Sequence, residues 1–207
     1  MQRTTSQTPL KLLTAVAAFT ILAACGDNTP SEPTNRSAYT QSHTTLTVAE
    51  AAAASDGRLP ELGLCQNLQV PAGSRVSFHV FGKGVQIYRW DGATWKFVEP
   101  SASLYADAAG NGLVGKHFGG PTWVTRSGSQ VVGTLAVDGR CSLNHPNAIP
   151  ELKLNAVVDG SGVFEQTTFI QRLNTVGGLA PTAPGTVLGD EAFVPYTADY
   201  YFYRAPE

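Results

Sequence analysis

The chain has 207 residues with 14 basic and 16 acidic side chains, which gives a formal net charge of −2. No run of lysine and arginine follows the first 25 residues, and this argues against nucleic acid or an anionic lipid surface as an electrostatic partner. The stretch from residue 58 to residue 207 has the usual size of one domain with one hydrophobic core.

Residues 1–24 have the pattern of a secretory signal peptide. A basic start is followed by the uncharged apolar run Leu12–Leu22, about half as long as the roughly 20 residues that a membrane-spanning helix needs. The tetrad Leu22-Ala23-Ala24-Cys25 resembles the lipobox of bacterial lipoproteins. This resemblance implies cleavage before Cys25 and attachment of a diacylglyceryl group and a further acyl chain, such as palmitate, to that residue. The alternative is an ordinary secreted protein in which Cys25 is unpaired.

Residues 25–57 are predicted to be a flexible, lipidated tether. Most of this segment is rich in Thr, Ser, Pro and Asn, with too few large apolar side chains to offset the cost of ordering. Residues 49–54 can form two helical turns, but an isolated helix of that length is marginal in water. The residue after the cysteine is Gly26 and not Asp. By similarity to the sorting rules of enterobacterial lipoproteins, this slightly favours the outer membrane over the inner membrane. We therefore expect an extracytoplasmic protein with a lipid anchor in the bacterial cell envelope.

The two remaining cysteines, Cys65 and Cys141, form an even pair in an exported protein, which is the usual pattern of a disulfide. Their spacing is far too long for a CxxC redox motif or a zinc knuckle. A disulfide between them would close a long loop and stabilise the domain by about 4 kcal/mol in the chain-entropy model.

Residues 58–207 are predicted to form a single all-β domain, either an antiparallel β-sandwich or a β-barrel, of roughly eight to ten strands. Asp91-Gly92 predicts a tight hairpin turn, because glycine tolerates positive φ. In the segment 130–137, Val131, Leu135 and Val137 are expected on one face. The segments with strand-like alternation of apolar and polar residues or strong strand composition are 75–81, 85–90, 94–98, 130–137, 152–158, 167–173 and 200–203.

Residues 110–115 match the GxGxxG dinucleotide fingerprint letter for letter. That fingerprint requires a helix to begin within the glycine turn. Here Lys116-His117-Phe118 is followed at once by Gly119-Gly120-Pro121, which cannot sustain a helix. We therefore predict a hairpin turn followed by a strand, and no cofactor.

His79, His117 and His145 are the histidines of the predicted domain. They lack the short spacing that places two metal ligands on one strand face, and we expect no metal site. The GxSxG, HExxH and SxxK motifs are absent, so no catalytic residue is assigned. His117, beside a Gly-Gly-Pro-Thr-Trp turn, is the most site-like of the three.

Aromatic residues crowd the end of the chain, at Tyr196 and at 200–203. Because successive residues of a strand point to opposite faces, both faces of this segment carry aromatic rings. A central strand buried on both sides explains them best. The alternative is an aromatic platform for a sugar or another planar ligand, joined by Trp90, Trp95 or Trp123.

Six motifs occur in order along the predicted domain. They are Leu68-Gln69-Val70-Pro71-Ala72-Gly73, Lys83-Gly84-Val85-Gln86-Ile87-Tyr88, His117-Phe118-Gly119-Gly120-Pro121-Thr122-Trp123, Asn147-Ala148-Ile149-Pro150, Ile170-Gln171-Arg172 and Pro195-Tyr196-Thr197-Ala198-Asp199-Tyr200-Tyr201. Together they resemble the domain of unknown function 3455 family, which is found in bacterial and fungal secreted proteins. The resemblance covers almost all of residues 58–207 and implies no established activity or catalytic residue. Some members are labelled malate dehydrogenase, but nothing here resembles a nicotinamide site.

The sequence favours a non-enzymatic β domain that binds an envelope glycan or a protein ligand. The candidate binding residues are His117, Trp123, Trp90 and Trp95, because they are aromatic and lie near glycine-rich turns. The alternative is a metal-dependent or hydrolytic enzyme that uses His117 with Asp107 or Asp199. The two hypotheses differ in that an enzyme needs titratable groups that converge in a pocket.

Overall fold

A computed structural model describes residues 46–53 and 59–206. Eight antiparallel strands form one closed barrel, in which each strand pairs with the next along the chain and the last pairs with the first. The all-β prediction is confirmed, and the architecture is a barrel, not a sandwich. The strands are β1 Arg75–Trp90, β2 Trp95–Tyr105, β3 Leu113–Phe118, β4 Thr122–Thr125, β5 Gln130–Cys141, β6 Glu151–Asp159, β7 Thr167–Gly177 and β8 Glu191–Arg204.

The longest strand, β1, joins two predicted strands. Glycines 82 and 84 separate those segments in the sequence, yet the ladder to β2 runs through both of them. A side chain on Gly84 would overlap the backbone of Ser101 and Ala102 on β2. These glycines therefore mark a close approach between strands and not a break in the chain.

The two ends of the barrel differ in their connections. The end with the β1–β2, β3–β4, β5–β6 and β7–β8 turns is called the mouth, and the opposite end the base. An eight-stranded barrel is just wide enough to be filled by side chains or to hold one small ligand. Phe78, Phe164 and Phe202 fill this one toward the base, with the Phe164 and Phe202 ring centroids 4.6 Å apart.

The expected alternation fails in the second half of β5. Val131 is buried as predicted, but Leu135 is 50% exposed and Val137 88% exposed. The ladder to β6 is irregular between Leu135 and Arg140, where Asp138 has a φ of 53°. This bulge adds residues 136–139 to β5 and places Val137 on the outside, whereas Leu135 lies just before it.

Residues 59–74, called here the arm, precede β1. Cys65 is joined to Cys141 in a disulfide with a Cα–Cα distance of 5.7 Å, as predicted. Leu68 is fully buried with Leu173, and Gln171 donates from Nε2 to the Leu68 carbonyl at 2.7 Å. The arm therefore covers part of the outer surface of the barrel. The end of β8 is buried on both faces at Phe202 and Tyr203, as its aromatic residues indicated.

A helix α1, Val48–Ala53, lies in the segment predicted to be tether. Thr47 and Glu50 form a capping box: Thr47 N donates to Glu50 Oε2 at 2.7 Å, and Glu50 N donates to Thr47 Oγ1 at 3.2 Å. Glu50 also accepts a hydrogen bond from the Ser127 hydroxyl, and Ala53 joins the hydrophobic core. The structure thus differs from the prediction at 48–53, because packing on the barrel stabilises a helix that would be marginal alone.

The predicted signal peptide, Cys25 and the remainder of the predicted tether lie outside the described residues, apart from residues 46 and 47 beside α1. Within the described ranges, no helix is long and apolar enough to cross a membrane.

Candidate functional site

A cavity of about 320 Å³ opens at the mouth of the barrel, at the small end of the range for ligand pockets. It lies above the packed aromatic interior, between strands from most of the barrel circumference. Its lining residues are Gln86, Tyr88, Phe97, Val98, Glu99, Pro100, His117, Gly119, Gly120, Pro121, Arg140, Ile149, Pro150, Leu152 and Arg172.

Much of the cavity wall is apolar. Phe97 packs edge-on against Tyr88, with ring centroids 5.8 Å apart, and Ile149 and Leu152 contribute aliphatic surface. The Tyr88 hydroxyl donates to the Gly178 carbonyl at 2.6 Å, so its ring is held in place. Burial raises the pKa of Tyr88, and this hydroxyl stays neutral.

Arg172 brings a positive charge into the barrel. It pairs in the sheet with Leu152 and Tyr200, and both of these face the interior. Arg172 Nε and Nη2 donate to the Pro150 carbonyl at 3.2 and 2.8 Å. No carboxylate among the described residues lies within 4.0 Å of this guanidinium.

Gln86 is a buried polar residue of the cavity lining, only 2% exposed. Its Nε2 has no hydrogen-bond partner in the described part of the chain. Native proteins leave few buried polar atoms in this state, because an unpaired donor costs about 1–3 kcal/mol. The cavity wall thus contains a buried amide whose Nε2 lacks a hydrogen bond of normal geometry, with the neutral Tyr196 hydroxyl as its polar neighbour.

His117 forms part of the cavity wall and is 2% exposed. Its Nδ1 lies 2.9 Å from the Thr122 carbonyl, which only accepts, so Nδ1 carries the proton and Nε2 is an acceptor. Burial lowers the pKa of His117 to about 3; the Thr122 hydrogen bond opposes this and the charge of Arg172 adds to it. His117 is therefore neutral near pH 7.

Two tyrosines of β8 lie near Arg172 and His117. The Tyr196 and Tyr200 hydroxyls are 3.1 Å apart, and the Tyr200 ring centroid is 5.1 Å from that of His117. Burial raises the pKa of both tyrosines, so neither supplies a negative charge to balance Arg172.

The four sequence-predicted binding residues fall into two separate pairs. Trp123 is 1% exposed and stacks behind His117, so it supports the cavity wall from the core. Trp90 and Trp95 face each other across the tip of the β1–β2 hairpin, with ring centroids 5.4 Å apart. Neither of them lines the cavity.

The structure does not bring His117 together with Asp107 or Asp199. Asp199 lies on the outer face of β8, 3.8 Å from His79 Nε2. Asp107 lies in the β2–β3 turn at the base and accepts hydrogen bonds from the backbone and side chain of Asn111. These contacts lower the pKa of Asp107. The described residues contain no group of three or more metal-ligating side chains.

A wider depression of about 510 Å³ lies at the base, beside Thr47 and Arg126. Its carboxylate, Asp107, is already bonded within its own turn, and no buried polar atom without a partner lines it. We therefore place the candidate site at the mouth.

Sequence reasoning missed Gln86, Tyr88 and Arg172 as site residues. Gln86 follows Phe78 and Val80 at inward positions of β1. Because inward positions are usually apolar, a polar residue at such a position indicates a site. Arg172 follows the inward Ile170 in the same way. Both stand in motifs that the family resemblance had singled out.

A family model described as "Protein of unknown function (DUF3455)" matches residues 71–204, about two thirds of the chain. The match takes in every strand of the barrel and all the residues that line the mouth cavity. No curated protein and no solved structure matches the chain significantly.

Proposed function

The chain belongs to the DUF3455 family of proteins of unknown function, and we propose that it is a ligand-binding protein that takes a small molecule into the cavity at the barrel mouth. The observation that carries this proposal is Gln86: a buried, unpaired donor in the lining of an otherwise largely apolar cavity. An apolar pocket with a few convergent polar groups is the usual form of a small-molecule site.

Binding without catalysis is the better account of the polar groups present. A hydrolase or a metal enzyme needs titratable groups that converge and exchange protons near neutral pH. His117 is neutral there and is not paired with a carboxylate among the described residues. Glu99, the acidic residue of the lining, lies exposed at the rim.

We further propose that this domain is presented from the bacterial cell envelope, preferably the outer membrane, by lipid attached to Cys25. The support is the lipobox-like tetrad and the polar segment that follows it. The disulfide between Cys65 and Cys141 agrees with an oxidising compartment.

The test is a thermal-shift screen of the purified protein against small organic molecules, soluble envelope glycans and divalent metals. A ligand that binds only the folded state raises the apparent stability, so a hit raises Tm. Two variants assign a hit to the cavity: Val98→Trp and Leu152→Phe add volume to its wall, whereas Val137→Trp adds the same bulk to an exposed site elsewhere.

We expect small molecules to raise Tm, and both cavity variants to reduce that shift while Val137→Trp leaves it unchanged. If only glycans raise Tm, and the cavity variants show the same Tm shift, the binding site lies on another surface. A stoichiometric transition metal that is lost in His117→Ala would favour the enzyme hypothesis instead.

A further inference from the structure

We propose that the ligand of the mouth cavity is a small organic monocarboxylate with an apolar or aromatic body, its carboxylate held by Arg172 and Gln86. This inference rests on the proposed function and names the chemical class of the molecule that the cavity binds.

The first argument is the missing counterion of Arg172. A charge taken out of water is costly unless an opposite charge or several hydrogen bonds compensate it. Arg172 is only partly exposed; it donates to one backbone carbonyl and interacts with the Tyr200 hydroxyl. The side chains of Tyr88, His117 and Tyr200 near it are all neutral. A bound anion would supply the compensation that the described residues lack.

The second argument is the geometry of the available donors. A guanidinium offers planar forks of N–H groups that match the two oxygens of a carboxylate. Arg172 Nε and Nη2 share the Pro150 carbonyl, so the Nη1–Nη2 edge is the fork that a ligand would use. Gln86 lines the same cavity, and its buried Nε2 has no hydrogen-bond partner in the described part of the chain. One fork and one amide donor suit a group with two oxygen atoms.

The third argument is the charge balance, which favours one negative charge over two. The lining carries Arg140 and Arg172 against Glu99, a formal charge of +1 with His117 neutral. Arg140 and Glu99 are both exposed, so water screens their contributions and leaves the charge of the partly buried Arg172. A phosphate dianion would leave negative charge uncompensated inside the barrel.

The remaining wall indicates the body of the ligand. Phe97, Ile149 and Leu152 present ring and aliphatic surface, and a cavity of about 320 Å³ limits the ligand to a compact molecule. An aryl or branched aliphatic acid fits this combination of shape and polarity.

The experiment compares four probes with similar bodies by isothermal titration calorimetry: benzoate, benzamide, benzylamine and phenyl phosphate. We expect benzoate to bind most tightly. Arg172→Gln should weaken benzoate roughly 10- to 100-fold, the usual range for a lost charge-assisted hydrogen bond, and leave benzamide nearly unchanged. Arg75→Gln makes the same charge change at the base end of β1 and should leave benzoate binding unaltered.

Arg172→Lys provides a second variant that keeps the charge but removes the planar fork. We expect intermediate benzoate affinity, and a thermal unfolding curve for each variant establishes that it is folded. If Arg172→Gln does not fold, Arg172→Lys and the ranking of the four probes still decide the question.

The outcomes separate this inference from the proposed function. Tighter binding of benzamide, benzylamine or phenyl phosphate than of benzoate, or benzoate binding that is indifferent to Arg172, overturns the carboxylate assignment while the cavity remains a binding site. If the wider screen finds neutral ligands but no carboxylate, the carboxylate assignment is likewise overturned while the cavity remains a binding site. The absence of any cavity-dependent hit overturns both proposals.

Discussion

The His117 ring stacks on the Trp123 indole with centroids 4.3 Å apart and planes 9° from parallel. His117 borders the cavity, whereas Trp123 is enclosed in the core. The indole thus holds the imidazole in a fixed plane at the boundary between binding site and core, in surroundings too apolar for a charged ring.

This relationship predicts how stability depends on pH. Burial lowers the pKa of His117 from 6.5 to about 3. Between pH 6.5 and pH 3, His117 is therefore protonated in the unfolded chain and neutral in the folded chain. The contribution of neutral His117 to the free energy of unfolding is fully present above pH 6.5 and falls as the pH drops below that value. Denaturant unfolding should show a loss of about 2 kcal/mol from His117 between pH 7.5 and pH 5, at about 1.4 kcal/mol per pH unit.

The matched variants are His117→Gln and His145→Gln. Glutamine does not titrate, so His117→Gln should remove this part of the pH dependence. His145→Gln, at a partly exposed histidine of the β5–β6 loop beside Glu151, should retain the part that comes from His117. NMR of ¹⁵N-labelled imidazoles gives an independent reading in the unmutated protein. A doubly protonated His117 ring at pH 5 would contradict the prediction.

The contact between arm and barrel predicts the effect of removing one hydroxyl. Tyr203 donates to Gln171 Oε1, and Gln171 donates in turn to the Leu68 carbonyl. Tyr203→Phe leaves the Gln171 oxygen buried without its donor, so the free energy of unfolding should fall by about 1–3 kcal/mol. Tyr105→Phe, at a partly exposed tyrosine without a side-chain hydrogen bond in the described residues, should change it by less than about 0.5 kcal/mol. Equal losses in the two variants would argue against the network.

Removal of the disulfide should lower the free energy of unfolding more than Tyr203→Phe does. Cys65 and Cys141 are 76 residues apart in the chain, so the double change to serine should cost about 4 kcal/mol in the chain-entropy model. Denaturant unfolding with and without reductant measures this cost: reductant should destabilise the native protein and leave the double serine variant unchanged. Alkylation of both cysteines in denatured, unreduced protein would refute the pairing.

The strand content and hairpin were predictable because they depend on local rules. The turn at Asp91-Gly92 has Gly92 at a φ of 95°, and the GxGxxG match proved to be a turn before β3, as the following glycines indicated. Barrel closure was not predictable, since pairing of β1 with β8 depends on contacts between residues more than 100 positions apart.

The site was predicted only in part for a related reason. Aromatic residues near turns drew attention to His117, which lines the cavity, but equally to Trp90 and Trp95, which do not. Gln86 and Arg172 can be identified as site residues only once the barrel is known to close, because both face inward at its mouth. Likewise, residues 49–54 were expected to be marginal as an isolated helix, and contact with the barrel stabilises α1.

Lipidation of Cys25 stays a prediction from sequence and has a direct test. In a bacterial host, mass spectrometry of the mature protein should find an N-terminus at Cys25 that carries a diacylglyceryl group and a further acyl chain. The protein should enter the detergent phase on Triton X-114 partitioning, because two or more acyl chains anchor a protein stably where one does not. Cys25→Ser removes the thiol that accepts the lipid and should move the protein to the aqueous phase, whereas Gly26→Ser should leave its attachment intact. An unmodified Cys25 on exported protein would contradict the lipid anchor, and an intact leader on cytoplasmic protein would contradict both the anchor and the envelope location that we propose.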